Sequence, residues 1–396
     1  LKSPLSVFNY GLYLFAKEFS TDYKEPEILF CDEAHRIPGH LEGHVAAKVT
    51  DKVIAQKGWR RPFIPFKASD EVQVMAMSDW AEEHIVYLEE ELQKKRQWVL
   101  AVAGNAGDRI KGSQQDYKAA MRSYSKAKDL FRHLTLIIRA GQDVENGLPW
   151  TWTRPPDADG KSLGYHELRP VYISNYTEYI FGDIPKIVLM SATISEIDLE
   201  RMGIDSYDII DVGSVYEDKR TPVYYRPIAQ LTKATEETAL PLIVQEIDNI
   251  IDGHTDPTLV RKPHKGIIHT VSYQRAMEIK KRSRHSDLIM THTVDDKDEV
   301  IGKFKESEEA RVLMSPSVME GEDFPYDQCR FVIVPKVPYP YLGDKTIRRR
   351  EKEDPEWYNW KALSDLIQSS GRGMRNENDY CSIYILDSKF EELIKY

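Results

Sequence analysis

The sequence has few cysteines and no long apolar segment. Its three cysteines, Cys31, Cys329 and Cys381, lie far apart and form no CxxC pair, which excludes a disulfide framework. No apolar run approaches the length of a membrane span, and no signal peptide is recognisable. We therefore expect a cytoplasmic protein with no membrane partner.

The sequence also lacks an excess of basic residues. Lys and Arg number 54 against 64 Asp and Glu, which gives a formal net charge of −10. This balance argues against nucleic-acid binding over the whole surface. Basic residues cluster at Arg60-Arg61, Lys94–Arg96 and Arg348–Arg350. Such clusters more often form a solvated face than a binding site, but they leave room for a local basic channel.

The apolar pattern divides the chain into four parts. Residues 1–37 are predicted to form a helix and then a short buried strand, and residues 38–165 a helical insertion. Residues 166–215 return to the first domain. Residues 216–396 alternate short apolar strands with helices, which predicts a parallel sheet covered on both faces. The predicted fold class is α/β, with two parallel-sheet domains and a helical insertion in the first.

Apolar runs and helical periodicity predict individual elements. Two long amphipathic helices are expected in the insertion, joined near residues 104–112. Other helices are predicted at 12–19, 273–282 and 363–370. Strands are predicted at 28–31, 187–190, 266–269, 312–314, 331–334 and 382–386.

Two carboxylates follow the first predicted strand, in the sequence ILFCDEAH at Ile28–His35. Open α/β sheets bind their ligands at the carboxyl ends of the strands. Asp32 is suited to hold Mg²⁺ through water, and Glu33 to orient or deprotonate an attacking water. The alternative is an ordinary acidic helix start after a strand.

A zinc site is a rival interpretation of the same region. Its ligands would be Cys31, His35, His40 and His44, and the last two lie four residues apart, on one helix face. However, Cys31 belongs to the strand, and Pro38-Gly39 interrupts the segment. Zinc is therefore the weaker hypothesis.

Three further polar segments also follow predicted strands or helices. Met190–Thr193 (MSAT) and Ser315–Pro325 (SPSVMEGEDFP) offer hydroxyls, and the second also offers a glycine and acids. Gln368–Arg375 (QSSGRGMR) carries two arginines three residues apart. Guanidinium is permanently charged and forks onto phosphate oxygens, as arginine fingers do.

The order of these segments is more specific than any one of them, and it resembles that of superfamily 2 helicases of the DinG/XPD branch. DEAH resembles motif II, SAT motif III, SPSVMEGEDFP motif V and QSSGRGMR motif VI. Gly266–Gln274 is similar to motif IV. Val337–Asp344 is similar to the proline-rich segment after motif V, and Phe8–Leu14 to the Asn-Tyr segment before motif II. The insertion is similar in position to the arch domain.

The resemblance implies two RecA-like domains with ATP between them. Residues 1–37 and 166–215 would form the first domain, 38–165 the arch-like insertion and 216–396 the second domain. The implied activity is that of a monomeric DNA helicase, which couples ATP hydrolysis to 5′→3′ movement on single-stranded DNA. The implied cofactors are ATP and Mg²⁺, the implied partners single-stranded and forked DNA, and the implied process DNA repair.

The resemblance also implies roles for individual residues. Asp32 would hold Mg²⁺ and Glu33 would activate water, while Gln368, Arg372 and Arg375 would act at the nucleotide. The other implied positions are His35, Ser191 and Thr193 for coupling, Gly321, Asp323 and Gly371 near the nucleotide, and Thr270, Ser272, Ser315 and Ser317 at nucleic acid.

The phosphate loop of these enzymes, motif I, is missing from this sequence. The only Gly-Lys-Ser, Gly160–Ser162, has Pro155 where the loop needs glycine, and it follows the acidic motif. We expect the loop, and the iron–sulfur cysteines of the family, upstream of Leu1. The alternative function is a non-hydrolysing module that binds nucleic acid or a partner.

Overall fold

A computed structural model describes residues 5–20, 23–104, 112–155, 164–214, 217–316, 322–374 and 378–396; of residues 19, 104, 112–114, 218 and 372 it describes only the backbone. The chain divides into two compact units. Unit 1 comprises Leu1–Ser191, Asp198–Asp205 and Tyr341–Glu353. Unit 2 comprises Ala192–Ile197, Ser206–Pro340 and Asp354–Tyr396.

The structure has helices at the predicted positions and several further helices. The helices are α1 (Tyr10–Phe19), α2 (Ile37–Val45), α3 (Asp51–Gln56), α4 (Asp70–Gly104), α5 (Gly112–Glu145), α6 (Glu196–Arg201), α7 (Glu236–Thr255), α8 (Tyr273–Arg282), α9 (Lys297–Glu306), α10 (Lys345–Glu353) and α11 (Pro355–Ser370). Within the described ranges, no helix combines the length and apolar character needed to cross a bilayer.

The strands form three sheets. They are β1 (Ile28–Cys31), β2 (Ala47–Thr50), β3 (Trp150–Thr153), β4 (Tyr165–Pro170), β5 (Lys186–Leu189), β6 (Val223–Ala229), β7 (Gly266–His269), β8 (Ile289–Thr291), β9 (Val312–Ser315), β10 (Phe331–Val334) and β11 (Ser382–Asp387). The sheet orders are β1-β5, β2-β4-β3 and β6-β11-β10-β7-β9-β8.

The six-stranded sheet of unit 2 is parallel throughout and is covered on both faces. Adjacent residues of one strand face opposite sides. Ile268 of β7 packs in a core with α7 and α8, whereas Ile267 packs in a second core with Phe304 of α9 and Leu366 of α11. The predicted α/β fold class is confirmed.

The insertion contains the two expected long helices and also a sheet that was not predicted. α4 and α5 pack along each other, and the three-stranded sheet is antiparallel. Trp150 and Trp152 of β3 are buried against Leu134 and Ile137 of α5. Strands of four residues are too short to stand out from the helical periods around them, so the sequence predicted the two long helices of this insertion but not its sheet.

The segment Tyr341–Glu353 packs within unit 1, although the predicted boundaries assign it to the second domain. Thr346 is fully buried, and its hydroxyl lies 2.6 Å from that of Thr151 on β3. Arg349 forms ion pairs with Asp70 (3.3 Å) and Glu71 (3.0 Å) at the start of α4. The periodicity of α10 could not reveal this, because its partners Thr151 and Asp70 lie 195 and 279 residues earlier in the chain.

A buried histidine makes unit 1 sensitive to acid. His166 on β4 accepts at Nδ1 from Trp152 Nε1 (3.3 Å) and faces Asp51 with Nε2 (3.4 Å). Burial lowers the pKa of His166 to about 4, and Asp51 opposes this shift. An unfolded histidine takes up its proton near pH 6.5. Between pH 6.5 and 4 the unfolded state therefore binds more protons than the folded state, and the free energy of unfolding decreases as the pH is lowered.

We expect the free energy of unfolding of unit 1 to fall by about 3 kcal/mol across this window. His166→Gln should remove most of this contribution, because the amide does not titrate. Urea unfolding at pH 7, 5 and 4 measures it in both proteins. Burial also lowers the pKa of His254 in unit 2 to about 4, but the contribution of His254 is the same in the wild-type protein and in His166→Gln. Identical pH dependence in both would refute the assignment to His166.

Candidate functional site

Asp32 and Glu33, the two acidic residues predicted to form the site, follow β1 directly. β1 and β5 pair in parallel, with Cys31 opposite Leu189. The pairing continues beyond the strands, because Met190 N donates to Cys31 O (2.9 Å) and Ala34 N donates to Met190 O (2.9 Å). The DEAH and SAT segments therefore leave the same edge of the sheet side by side.

One imidazole connects the two segments. His35 Nδ1 lies 2.8 Å from Ser191 Oγ and 3.3 Å from Glu33 Oε2. Since the hydroxyl of Ser191 can donate or accept, its direction depends on which nitrogen of His35 carries the proton. The structure thus brings together three of the predicted residues, and a change at Glu33 can reach Ser191 through a single side chain.

Asp32 makes one backbone and one side-chain hydrogen bond, and its side chain remains exposed. Glu33 N donates to Asp32 Oδ1 (2.9 Å), and the hydroxyl of Tyr10 donates to the carbonyl oxygen of Asp32 (2.7 Å). Burial raises the pKa of Tyr10 above its usual range, which keeps the hydroxyl a donor. Tyr10 was not predicted as a site residue, although the Asn9-Tyr10 segment before motif II was a signal. The side chains of Asp32 and Glu33 are both exposed and open to a ligand.

Glu33 has an unusual backbone conformation, with φ 50° and ψ 45°. This is the left-handed region, which costs a side chain other than glycine about 1–2 kcal/mol. Strain of this kind collects at functional sites. The turn directs the chain from β1 into the 3₁₀ helix Ala34–Arg36.

Relief of this strain separates the conformational role of Glu33 from its chemistry. We expect Glu33→Asn to be more stable than Glu33→Gln by about 0.5–1 kcal/mol, because asparagine tolerates the left-handed region better than other residues with a Cβ. Both substitutions remove the carboxylate, so each serves as the control of the other. Urea unfolding measures the difference, and equal stability would contradict the left-handed conformation.

Gln368 and Thr193 meet within unit 2. Gln368 lies on α11, and its Nε2 donates to Thr193 Oγ1 (3.0 Å). Gly371 is the C-cap of α11, with an ordinary φ of −72°. Arg372 follows in a 3₁₀ turn but is described only by its backbone, and Arg375 lies outside the described residues. Within the SAT segment, Ser191 therefore bonds inside unit 1 and Thr193 inside unit 2.

Three of the four hydroxyls predicted at nucleic acid lie at the ends of β7 and β9. Thr270 N donates to Ser315 O (2.9 Å), and the Ser315 hydroxyl lies 3.2 Å from His292 Nε2. Thr270 and Ser315 are both fully buried. Ser272 is the N-cap of α8, where its hydroxyl accepts from Arg275 N (3.2 Å). These hydroxyls hold the loops in place, and their contact with nucleic acid remains a prediction.

Some of the other predicted positions lie outside the residues that the structure describes. Ser317, Gly321 and the segment Gly160–Ser162 lie outside the described residues. Asp323 is exposed. Glu322, which stands where the related motif has an aliphatic residue, forms an ion pair with Lys305 (2.5 Å).

A small cavity in unit 2 is lined by residues of the segment Gly266–Gln274. Its volume is about 50 Å³, and its lining includes His269, Val271 and Lys336. Burial lowers the pKa of Lys336, and the nearby charge of Arg275 adds to the shift. Small-molecule sites measure about 300–1,000 Å³, so this cavity is too small for a nucleotide.

The zinc hypothesis finds no cluster of ligands. Within the ranges that the structure describes, no three His, Cys, Asp or Glu side chains are grouped as a metal site. His40 stacks on Tyr10 with ring centroids 4.9 Å apart, and His44 Nε2 lies 3.0 Å from a carboxylate oxygen of Glu18. Burial raises the pKa of Cys31 to about 11, which disfavours the thiolate that zinc requires.

Comparison with known proteins agrees with this geometry. Residues 257–395 match the family model described as Helicase C-terminal domain. The fold is similar to solved structures of apo XPD (TM-score 0.52, 14% identity, 97% of this chain and 78% of that one) and of Xpd4 from S. tokodaii (TM-score 0.51, 14% identity, 97% and 78%).

Sequence relatives include the regulators of telomere elongation helicase 1 of Drosophila grimshawi and Drosophila persimilis. They are 35% and 38% identical to this chain over 88 residues, and each match spans 19% of this chain but only 9% of the relative. These matches show that residues 257–395 are similar to a helicase C-terminal domain and that the fold of the chain is similar to that of XPD.

Proposed function

We propose that this protein is an ATP-dependent DNA helicase, which couples ATP hydrolysis to 5′→3′ movement on single-stranded DNA and unwinds forked duplexes. The observation that carries the proposal is the bond of His35 to Ser191. It joins the segment that carries both exposed acids to the segment whose next hydroxyl, Thr193, bonds to Gln368. Hydrolysis coupled to movement needs such a connection between the reacting acid and residues that change position.

The residues present fit a magnesium nucleotide. Mg²⁺ prefers oxygen ligands and is commonly held by one or two carboxylates together with water and phosphate oxygens, so Asp32 is a sufficient protein donor without a larger cluster. The bound magnesium nucleotide would supply the reacting γ-phosphate and neutralise its developing charge.

The chemistry of the chain itself rests on Glu33 and His35. The Glu33 carboxylate would accept a proton from the attacking water. Protonation of Glu33 would remove a negative charge beside His35, whose Nδ1 lies 3.3 Å from Glu33 Oε2. The His35–Ser191 bond would then respond to the protonation state of the base.

Strand displacement tests the proposed activity. The native protein, with any residues that precede Leu1, is given a fluorescently labelled duplex with a 5′ tail, a 3′ tail or both. We expect displacement that requires ATP and a 5′ tail. Displacement that required a 3′ tail would refute the polarity, and DNA binding without displacement or ATP turnover would favour a non-hydrolysing binding module.

A further inference from the structure

The insertion carries an exposed aromatic loop that the proposed chemistry does not use. We call Trp59–Ala68, with the sequence WRRPFIPFKA, the Phe63–Phe66 loop. Phe63 is 85% exposed and Phe66 is 71% exposed, and each follows a proline. Ile64 between them is only 6% exposed and belongs to the core of the insertion. Water therefore contacts two large apolar side chains that the fold turns outward.

The loop is held rigidly in this arrangement. Gln73 is almost fully buried, and its Nε2 donates to the carbonyl oxygens of Pro65 (3.1 Å) and Phe66 (3.2 Å). Trp80 Nε1 donates to the carbonyl oxygen of Arg60 (2.7 Å). The two prolines fix their own φ angles. A ligand that contacts this loop would not have to pay the entropy of ordering it.

The loop that carries the two phenylalanines also carries three basic residues. Arg60, Arg61 and Lys67 are exposed, and no carboxylate of the described residues forms an ion pair with any of them. Lys57, just before the loop, is by contrast paired with Glu91. In a chain with a net charge of −10, one ten-residue loop thus exposes three cations and two aromatic rings, a composition that suits an anion that also carries flat rings.

We propose that the Phe63–Phe66 loop binds single-stranded nucleic acid, with bases stacked on Phe63 and Phe66 and phosphates paired with Arg60, Arg61 and Lys67. Stacking on aromatic side chains beside a basic track is the usual mode of sequence-tolerant single-strand binding. Three residue steps span at most about 11 Å, so one short stretch of strand can reach both rings.

This inference rests on the proposed function but is tested separately from it. The probe is a fluorescein-labelled 20-nucleotide oligodeoxythymidylate, whose affinity for the full chain is measured by anisotropy at several salt concentrations. We expect Phe63→Ala/Phe66→Ala to weaken binding by about tenfold per phenylalanine, with the salt dependence unchanged. Arg60→Ala/Arg61→Ala should instead lower the slope of log K against log salt by about 0.7 for each phosphate that the variant no longer neutralises.

Matched variants separate stacking from misfolding. Phe63→Tyr/Phe66→Tyr keeps the rings and should retain wild-type affinity. Tyr87→Ala removes a ring that is 68% exposed on α4 and should have no effect. An oligonucleotide containing 5-iodouracil should crosslink on irradiation to the peptide that contains Phe63 and Phe66.

Two outcomes would overturn the inference, and they differ in what they say of the proposed function. Wild-type affinity in the double alanine variant, together with no crosslink to the loop, would overturn the inference alone and leave the loop to a protein partner. A wild-type chain that bound no oligonucleotide at low salt would overturn the inference and count against the proposed function as well.

Discussion

Glu33→Gln is expected to reduce ATP hydrolysis stimulated by single-stranded DNA by a factor of about 10²–10⁴ in the native protein, which is the usual contribution of a general base. The amide keeps the size of the side chain but cannot accept the proton of the attacking water. Because the side chain of Glu33 is half exposed, its replacement removes little packing. Steady-state phosphate release at saturating ATP and oligonucleotide measures the effect.

Glu27→Gln is the matched control. Glu27 is also exposed and stands immediately before β1, at the opposite end of the strand. It loses the same charge but lies away from the strand end where the acids are grouped, so we expect wild-type turnover. If Glu33→Gln and Glu27→Gln turned over ATP equally well, Glu33 would not be the base. An unchanged affinity for oligonucleotide in Glu33→Gln would show that only the chemical step is lost.

Asp379→Ala is expected to destabilise unit 2 by about 3–5 kcal/mol, because it removes the buried carboxylate that pairs with the buried guanidinium of Arg330. Asp379 is fully buried, and its Oδ1 accepts from Arg330 Nη1 (2.6 Å). The same carboxylate also accepts from the backbone N–H groups of Tyr326 (3.0 Å) and Tyr380 (2.9 Å). Its loss therefore removes three bonds from a site that water does not reach.

Asp327→Ala tests whether burial is the cause. Asp327 also pairs with Arg330 (2.9 Å), but its side chain is 61% exposed. Exposed ion pairs contribute about 0–1 kcal/mol, so this variant should lose no more than that. Urea unfolding followed by Trp357 and Trp360 on α11 measures both variants. Comparable losses in the two would contradict the importance of burial.

The sequence was most informative where a motif follows a short apolar run. β1, β7 and β10 have the predicted bounds, and β5 and β9 differ from them by one residue. Parallel strands end at one edge of a sheet, so segments that follow neighbouring strands must lie close together. Local patterns therefore placed DEAH and SAT at strand ends, whereas the pairing of β1 with β5, which brings the two segments together, is seen only in the structure.

Other features depend on contacts between distant parts of the chain, which local patterns do not encode. The sheet of β2, β3 and β4 joins residues 47–50 to residues 165–170, and α10 packs on the insertion. The left-handed turn at Glu33 follows from the junction of β1 with the next 3₁₀ helix. Phenylalanine is usually a core residue, so the sequence alone does not show that Phe63 and Phe66 are exposed. The structure shows that Ile64 is the buried residue of this loop and that the two phenylalanines face solvent.

The most direct test of the account is ATP turnover by the native wild-type protein with and without single-stranded DNA. The residues around Asp32, Glu33 and His35 predict magnesium-dependent hydrolysis that single-stranded DNA stimulates. Oligonucleotide binding with no turnover at any magnesium concentration would contradict the account and favour a non-hydrolysing module.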